Sequence, residues 1–554
     1  MLMREKLHRL VLSALKKANI SADEESLKKF KIEYPAPELG DYSSNAALIM
    51  SKSAKFKPRD LAEKIIENID KEMFEKVAVA GPGFINFRLK IENLIPPSSA
   101  FRATSPVKGE DKKKILLEYF QPNIAKPLHI GHLETAVIGD AIKRMFLYLG
   151  YQVESDTHMG DWGTQFGYLI LAQKRFGEVN EKLYAKLNAD DSMREEAKQE
   201  FVKLEQGDKE NRKIWQRLVD TSMQEFLKIN TLMDILPFDH HWPESFYEDK
   251  MPGVLEDLKV KKLLKESQGA QVVDLEKQGL GVAIIIKSDG GTTYLLRDLA
   301  TFIFGKQQGF RKHLYVVDNR QSLHYKQLTA ILELMGEIVN SKQEIEHIDY
   351  GFISFKGEAL STRKGNMVLA YDVIMEAERK VSKLISEKNP GLENKEKVIK
   401  AVAKAALKYF ILKHNRHSDI EFDWDQVLDF EGNSGPYLQY TAARLSSILK
   451  KSGNSKSEIR ISKLPITDTE RRLLFLLSIF NEKVVDASVD YMPNILANHL
   501  FELSATANKF YHESPVIQEK DESKKAFRLN LVNQTKKILF LGLDLLGIKA
   551  LEEM

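Results

Sequence analysis

The chain has 554 residues, 43% of them hydrophobic, and 82 Lys+Arg against 79 Asp+Glu leave a net charge of +3. That length allows three or four domains with several cores, and the near balance of charge means that a nucleic-acid partner must be held by local patches. With no cysteine, disulfides, thiolate zinc sites and cysteine nucleophiles are excluded; a reduced cytoplasm fits, and no apolar run has the length of a bilayer span.

The opening MLMREKLHRLVLSALKKANI lacks an uninterrupted apolar signal core and reads as an amphipathic first helix. It starts a small α+β module, residues 1–92, with a second helix near 58–70 and a closing strand at 84–89. Gly81-Pro82-Gly83 before Phe84-Ile85-Asn86-Phe87 reads as a tight turn, because neither the full G-x-G-x-x-G spacing nor a following helix accompanies it. Residues 93–113 mix Pro, Ser and charge and read as a linker.

The stretch Lys114 to Gly150 carries the clearest signal. Lys114 to Phe120 reads as a buried strand, and Leu133, Ala136, Val137, Ala141, Met145 and Leu149 recur at helical spacing up to Gly150. His129 and His132 stand three apart and share a helix face. Gly131 between them leaves the backbone open, and a helix N-terminus favours an anion. The arrangement reads as a phosphate site, with a plain polar cap as the alternative.

A strand at Gln152 to Ser155 leads into Asp156-Thr157-His158-Met159-Gly160-Asp161-Trp162-Gly163-Thr164-Gln165-Phe166-Gly167. Three glycines among hydrogen-bonding residues suit a tight loop, placed at the sheet edge where open α/β sheets hold ligands. A charged helical insertion follows, near 174–250. Its adjacent His240-His241 diverge, so a shared metal is not expected.

Val282 to Ile286 is an unbroken apolar run, expected as a strand in a second half of the same sheet. The helix opened by Thr292-Thr293-Tyr294-Leu295-Leu296-Arg297-Asp298 sets Tyr294 and Asp298 four apart on one side; Arg297 is placed to neutralise Asp298 as an alternative. Leu314 to Val317 reads as a buried strand with the polar run Asp318 to His324 at its carboxyl end. Ala359-Leu360-Ser361-Thr362-Arg363-Lys364-Gly365-Asn366 is a cationic loop able to close on a triphosphate. From about 395 the pattern is helical. Tyr437, Tyr440 and Arg444 recur at three and four, suited to stacking unpaired bases or to a core stripe.

Asn123-Ile124-Ala125-Lys126-Pro127-Leu128-His129-Ile130-Gly131-His132-Leu133 resembles the HIGH signature of class I aminoacyl-tRNA synthetases, in the form typical of arginyl-tRNA synthetases. GDYSSNAA with GPGFINF, GDWGTQFG, a divergent KMSKS loop at 359–366 and the helical end closing in LGLDLLGIKALEEM resemble the same family in the same order. The resemblance implies an α/β, Rossmann-like parallel-sheet catalytic domain at 114–394. It also implies a small α+β domain before it that touches the tRNA elbow, and an all-helical anticodon-binding domain of DALR type at 395–554.

By resemblance, Lys126, His129, His132, Arg363 and Lys364 are catalytic, and Asn123, Gly131 and Ser361 join them in holding ATP, with Mg²⁺. Either Arg363 or Lys364 is the principal loop cation. Glu118, His158, Tyr294 and Asp298 match the arginine site, with Asn123 and Gln321 near the amino acid's backbone groups or its guanidinium. Asn45, Phe84, Asn86, Tyr437, Tyr440, Arg444, Tyr511 and Met554 fall to tRNA. The reaction implied is arginine activation by ATP and transfer to the terminal ribose of tRNA(Arg), by a cytoplasmic monomer with no resident protein-bound metal and neither a DNA nor a membrane partner. A guanidinium offers five donors and a fixed charge, so a pocket for it needs carboxylates in bidentate reach, which Glu118 and Asp298 supply.

Two departures stand out: Glu134 where the family usually has arginine, and Gln121 where it usually has serine. Both are expected at the rim, with Glu134 facing outward. A cysteinyl-type synthetase lacks its cysteine zinc ligands here, a small nucleotidyltransferase has no use for the long helical end, and a silent binding protein would have lost the histidines or the cationic loop.

Overall fold

The computed structural model describes residues 2–95, 114–179, 181–355, 368–452 and 464–554. Its first unit is an antiparallel sheet, order β1-β2-β4-β3, built from β1 (Ile32–Glu33), β2 (Tyr42–Ser44), β3 (Phe74–Ala80) and β4 (Phe84–Leu89). Gly81-Pro82-Gly83 is the turn of the β3–β4 hairpin, closed by the Gly83 N–H donating to the Ala80 carbonyl at 3.3 Å. The helices Met3–Lys17 and Pro58–Asn68 bury Leu7, Val11, Leu61 and Ile65 completely, as their 3.6-residue spacing requires.

The central sheet is all parallel, order β11-β10-β5-β6, from β5 (Ile115–Glu118), β6 (Val153–Asp156), β10 (Lys312–Asp318) and β11 (Ile345–Tyr350). Every residue of β5 is buried, because helices cover both faces of a parallel sheet. The register pairs Glu118 with Asp156 across β5 and β6, and Glu118 with Tyr315 across β5 and β10. Two carboxyls are thereby set side by side at the carboxyl edge of the sheet.

The expected second half of that sheet takes a different form. Val282–Ile286 is a strand, but it closes a separate antiparallel sheet, β7-β8-β9, with β7 (Leu264–Ser267), β8 (Ala270–Asp274) and β9 being Val282–Ile286. Val282 and Ile284 are each 48% exposed while Ala283 and Ile285 are buried, the alternation of a one-sided sheet. An all-apolar sequence concealed it. Between β6 and this sheet the insertion is helical, with Gln165–Phe176, Glu181–Asn188, Asp191–Glu205 and Lys209–Leu232.

The helix Ile130–Tyr148 is the axis of the molecule. It buries not only its apolar stripe but also Glu134, Asp140 and Lys143, because it lies between the sheet and the C-terminal helices. Asp140 accepts from Arg144 Nε at 2.9 Å and lies 3.8 Å from Lys408 Nζ, while Lys408 donates to the Gly547 carbonyl at 2.7 Å. Near the helix end the Tyr148 hydroxyl donates to Asn481 at 2.9 Å. The N-terminal unit docks on the same helical region: Arg471 donates to Asp41 at 2.7 Å, and Glu482 accepts from the Arg4 amide at 2.8 Å and the Tyr34 hydroxyl at 2.6 Å. One apolar cluster runs from Leu7 through Leu133 to Leu543.

Lys408, at 1% exposure, faces the 1%-exposed Asp140, and removing one partner leaves the other without part of its compensation. Lys408→Ala is expected to lower unfolding stability by about 3 kcal/mol in urea titration, with Lys408→Met, which keeps the volume, costing less.

Candidate active site

Above the carboxyl edge of the parallel sheet opens a cavity of about 970 Å³. At one end, His158 lies between two acids: its Nδ1 is 3.8 Å from Glu118 Oε2, and its Nε2 is 3.7 Å from Asp298 Oδ1. Asp298 also bonds the His324 imidazole. Tyr294 lines the same end, one helical turn before Asp298. His158 is held at φ 40°, an uncommon conformation for a residue other than glycine, which functional loops retain when their surroundings enforce it.

What enforces it is the contact between two loops. Gly160 N–H donates to the Pro122 carbonyl at 3.1 Å, and the Ile124 amide donates back to Gly160 at 3.0 Å. A Cβ on Gly160 would lie 2.3 Å from Asn123 Oδ1, so only glycine lets Asn123 sit there. Trp162 is buried, and Asp161 accepts from the Ser245 amide and hydroxyl at 2.8 and 2.6 Å.

At the other end, the rings of His129 and His132 face each other at 3.8 Å. His129 Nδ1 accepts from the Gly131 N–H and His132 Nδ1 accepts from the His129 N–H, both at 3.1 Å. Each ring therefore carries its proton on Nε2 when neutral. Burial first, then nearby cations and for His132 the other imidazole, holds both below the ordinary histidine range, His132 at about 3. The sequence reading gave the helix N-terminus an anion-binding role, and this needs correction. Ile130 N–H goes to Val368, Gly131 N–H to His129 and His132 N–H to the His129 carbonyl. Two neutral Nε2–H groups remain as the donors. Gly131 serves the ring: a Cβ there would meet the His129 imidazole at 3.1 Å.

The cavity thus collects Glu118, Asn123, His129, Gly131, His132, His158, Tyr294, Asp298 and Gln321. Lys126 is exposed and is not among the lining residues, though its charge reaches both imidazoles. Ser361, Arg363 and Lys364 lie outside the described residues. Arg297 does not neutralise Asp298; its guanidinium lies 3.4 Å from Glu244. Neither departure sits at an outer rim. Gln121 bonds Glu118, and Glu134 is 2% exposed against the cavity wall.

Glu244 is the lining acid that the sequence reading passed over. It stands in the run Trp242-Pro243-Glu244-Ser245-Phe246-Tyr247, where no spacing or motif marks it. The neighbouring histidines are structural: His240 pairs with Glu154 at 2.7 Å and stacks on Trp242, and His241 faces the Thr157 hydroxyl. Burial pushes Glu244 up to about 8 despite Arg297, Asp156 up to about 7 and Glu118 well above the usual carboxylate range, with the neighbouring acids adding to the shift of Glu118. Glu118, Asp156 and His158 bring potential ligand atoms within 4.8 Å of one another.

Comparison with known families decides what carries this site. A family model for the class I tRNA synthetase (R) catalytic domain matches residues 99–424, one for the DALR anticodon binding domain matches 438–554, and one for the arginyl tRNA synthetase N-terminal domain matches 5–89. The arginine–tRNA ligase of Clostridium botulinum is 37% identical over 98% of this chain and 99% of its own length, and that of Alkaliphilus metalliredigens is 37% identical over 94% of each. The chain belongs to the arginyl-tRNA synthetases. Solved arginyl-tRNA synthetases from Plasmodium falciparum (25% identity) and Thermus thermophilus (26%) superpose over the full length of both chains with a TM-score of 0.83.

In this arginyl-tRNA synthetase the helical domain presents Tyr440, 40% exposed, with the Arg444 guanidinium 4.7 Å over its ring. Arg444 is fixed by Asn508 at 2.9 Å, and Asn508 also donates to the Tyr437 hydroxyl at 2.9 Å. Tyr511 is exposed, and Met554 packs part-buried on the core. In the N-terminal unit Asn45 is half-buried and accepts from the Lys31 amide, and Phe84 is half-buried at the hairpin turn. Asn86 corrects the sequence reading: at 7% exposure, with its carbonyl taken by the Ser43 hydroxyl at 2.7 Å, it braces the sheet.

Glu244 makes a pH prediction with a definite sign. Its folded value, about 8, exceeds that of an unfolded glutamate, so the folded chain binds a proton the unfolded chain releases. Its contribution to stability is fullest at acid pH and is lost as pH rises toward about 8. In chemical unfolding between pH 5 and 8, Glu244→Gln is expected to flatten this part of the pH slope; an unchanged slope would contradict the protonation of Glu244.

Proposed function

We infer that the chain is an arginine–tRNA ligase. It joins L-arginine to ATP as arginyl-adenylate, releasing pyrophosphate, and then passes the arginyl group to the 3′-terminal ribose of tRNA(Arg), releasing AMP. The observation that carries this reading is His158 seated between Glu118 and Asp298 in the cavity that also holds the paired imidazoles. One end suits a planar cation with five donors, the other a polyanion.

The guanidinium lies among Glu118, Asp298 and the Tyr294 hydroxyl, with Glu244 held alongside by Arg297. At Glu118 and Glu244 it takes the place of the protons that burial keeps on these two acids in the free site. Asn123, Gln321 and His158 receive the amino acid's ammonium and carboxylate. With those groups fixed, the carboxylate oxygen attacks the α-phosphorus in line, and the bond to pyrophosphate breaks. His129 and His132 give their Nε2–H groups to phosphate oxygens, and Gly131 keeps the His129 ring in place. Because the rings are neutral, they stabilise developing charge without trapping the product as an ion pair. Lys126, Ser361, Arg363 and Lys364 serve the departing pyrophosphate. No residue bonds covalently to substrate; catalysis is positioning and charge stabilisation.

Mg²⁺ belongs with the triphosphate. It is commonly held by substrate phosphates with one or two carboxylates, and Asp318 and Glu134 are the lining acids of the nucleotide end, Asp318 already bonded to Arg320. These residues fit an ion carried by ATP, which would screen the charge of the phosphates. The acid and imidazole cluster of Glu118, Asp156 and His158 lies at the amino-acid end, where a guanidinium meets the same need.

Tyr440 and Arg444 form the stacking face for anticodon bases, supported by Tyr437, with Tyr511 and Met554 at its border; Asn45 and Phe84 reach the tRNA elbow. The protein works as a monomer, and a reaction consuming tRNA belongs in the cytoplasm.

ATP–pyrophosphate exchange with each amino acid in turn, with and without tRNA, tests the function: arginine alone should support exchange, and equal exchange with lysine would end the reading. Asp298→Ala should raise the arginine KM about a hundredfold through loss of a charged partner; an unchanged KM would remove Asp298 from the pocket. His132→Ala should lower kcat by about 10²-fold with little change in ATP KM, and a pure loss of ATP affinity would contradict the transition-state role.

A further inference from the structure

Gln121 follows β5 at a turn where Phe120 takes φ 65°. Its Nε2 donates to Glu118 Oε1 at 2.5 Å, and both residues line the cavity. Glu118 is 2% exposed, and its other oxygen, Oε2, has no hydrogen-bond partner among the described residues. Oε2 faces His158 Nδ1 at 3.8 Å. The charges that reach Glu118 from Asp156 and Asp298 oppose its ionisation, as does burial, whereas the bond from Gln121 favours it. The Tyr325 ring, which lines the same wall as the carboxamide, stacks on His347 at 4.5 Å.

We propose that Gln121 is a positioning residue for amino-acid recognition: its carboxamide occupies Glu118 Oε1 and so leaves Oε2 as the acceptor presented to the cation of the bound amino acid. This rests on the arginine reading of the cavity. A carboxylate free to rotate offers either oxygen in several geometries, whereas one held at Oε1 presents Oε2 in a single direction to an N–H donor of the cation. The donor must reach from the turn to the strand. A serine hydroxyl, the residue expected here by resemblance, ends two bonds short of Nε2 on the same Cα, so serine cannot hold Glu118 in this way. Gln121 therefore substitutes one means of ordering the pocket for another, inside it and not at its rim.

The test uses full-length protein and ATP–pyrophosphate exchange over a range of pH. Gln121→Leu and Gln121→Ser should each raise the arginine KM about tenfold, the weight of a hydrogen bond to a charged group, with ATP KM unchanged. The acid limb of kcat/KM for arginine should move to higher pH, a shift that a loosened scaffold would not produce. Gln121→Glu keeps the shape but donates only when protonated, so its kcat/KM should fall with rising pH where that of the native chain rises. Glu118→Gln serves as the reference, and adding Gln121→Leu to it should have no further effect. If Glu118→Gln leaves the arginine KM unchanged, the pocket reading fails and this proposal falls with it. If Glu118→Gln raises KM while the Gln121 variants stay within about twofold of the native chain and keep its pH profile, the proposal alone is overturned.

Discussion

The site depends on acids held close together where water cannot separate them. Glu118 and Asp298 flank one imidazole, and Asp156 is the register partner of Glu118. Like charges in a poorly solvated site repel strongly, so the free pocket must keep protons on some of them and the occupied pocket must supply a cation. The fold provides the restraint. Parallel pairing of β5 with β6 fixes one pair, the helix Tyr294–Gln307 projects Asp298 from the other side, and the loop after β6 accepts a left-handed His158 to place a ring between them. Such strain persists because the surrounding packing over-determines it, here through the interlocked Asn123 and Gly160.

Along the cavity the electrostatic character reverses. The acid end attracts a cation, and the imidazole end offers donors without charge. Had the helix start kept its amides free, the anion would be held by a fixed dipole. Instead the His129 and Gly131 amides go to the two imidazoles and set their tautomers, the Ile130 amide goes to Val368, and the side-chain donors left to the cavity have their orientation fixed from behind. The same backbone bonds that cap the helix therefore define the chemistry: a change that frees Gly131 N–H also releases the His129 ring.

Much of this was legible in the sequence, for physical reasons that can be named. The histidine helix showed through because a helix buried on nearly every side repeats its apolar residues without interruption, and the polar run Asp318 to His324 showed through because it ends a buried strand. β9 misled, since Val282-Ala283-Ile284-Ile285-Ile286 contains no polar residue to mark its open face; exposure there is set by tertiary placement. Glu244 and Asp156 escaped because nothing local marks them. Glu244 matters through Arg297, 53 positions later in the numbering of the chain, and Asp156 through strand register. Gln121 and Glu134 were visible as departures, but their burial depends on how the β5 turn and the histidine helix face the cavity.

The histidine helix also joins the chemistry to the tRNA-facing domain. Its 19 residues span about 28 Å at 1.5 Å per residue, with the imidazoles at one end and Tyr148 bonded to Asn481 at the other. Midway, Asp140 faces Lys408, which grips the carbonyl of Gly547 beyond the last helix. A helix buried along its length moves as a unit, because close-packed interiors do not deform continuously. The distance from the paired imidazoles to the face of Tyr440 and Arg444 is thus set by this helix and the helices locked to it. The buried charges along the helix maintain this fixed span at some cost in stability, since apolar residues would pack there with less desolvation.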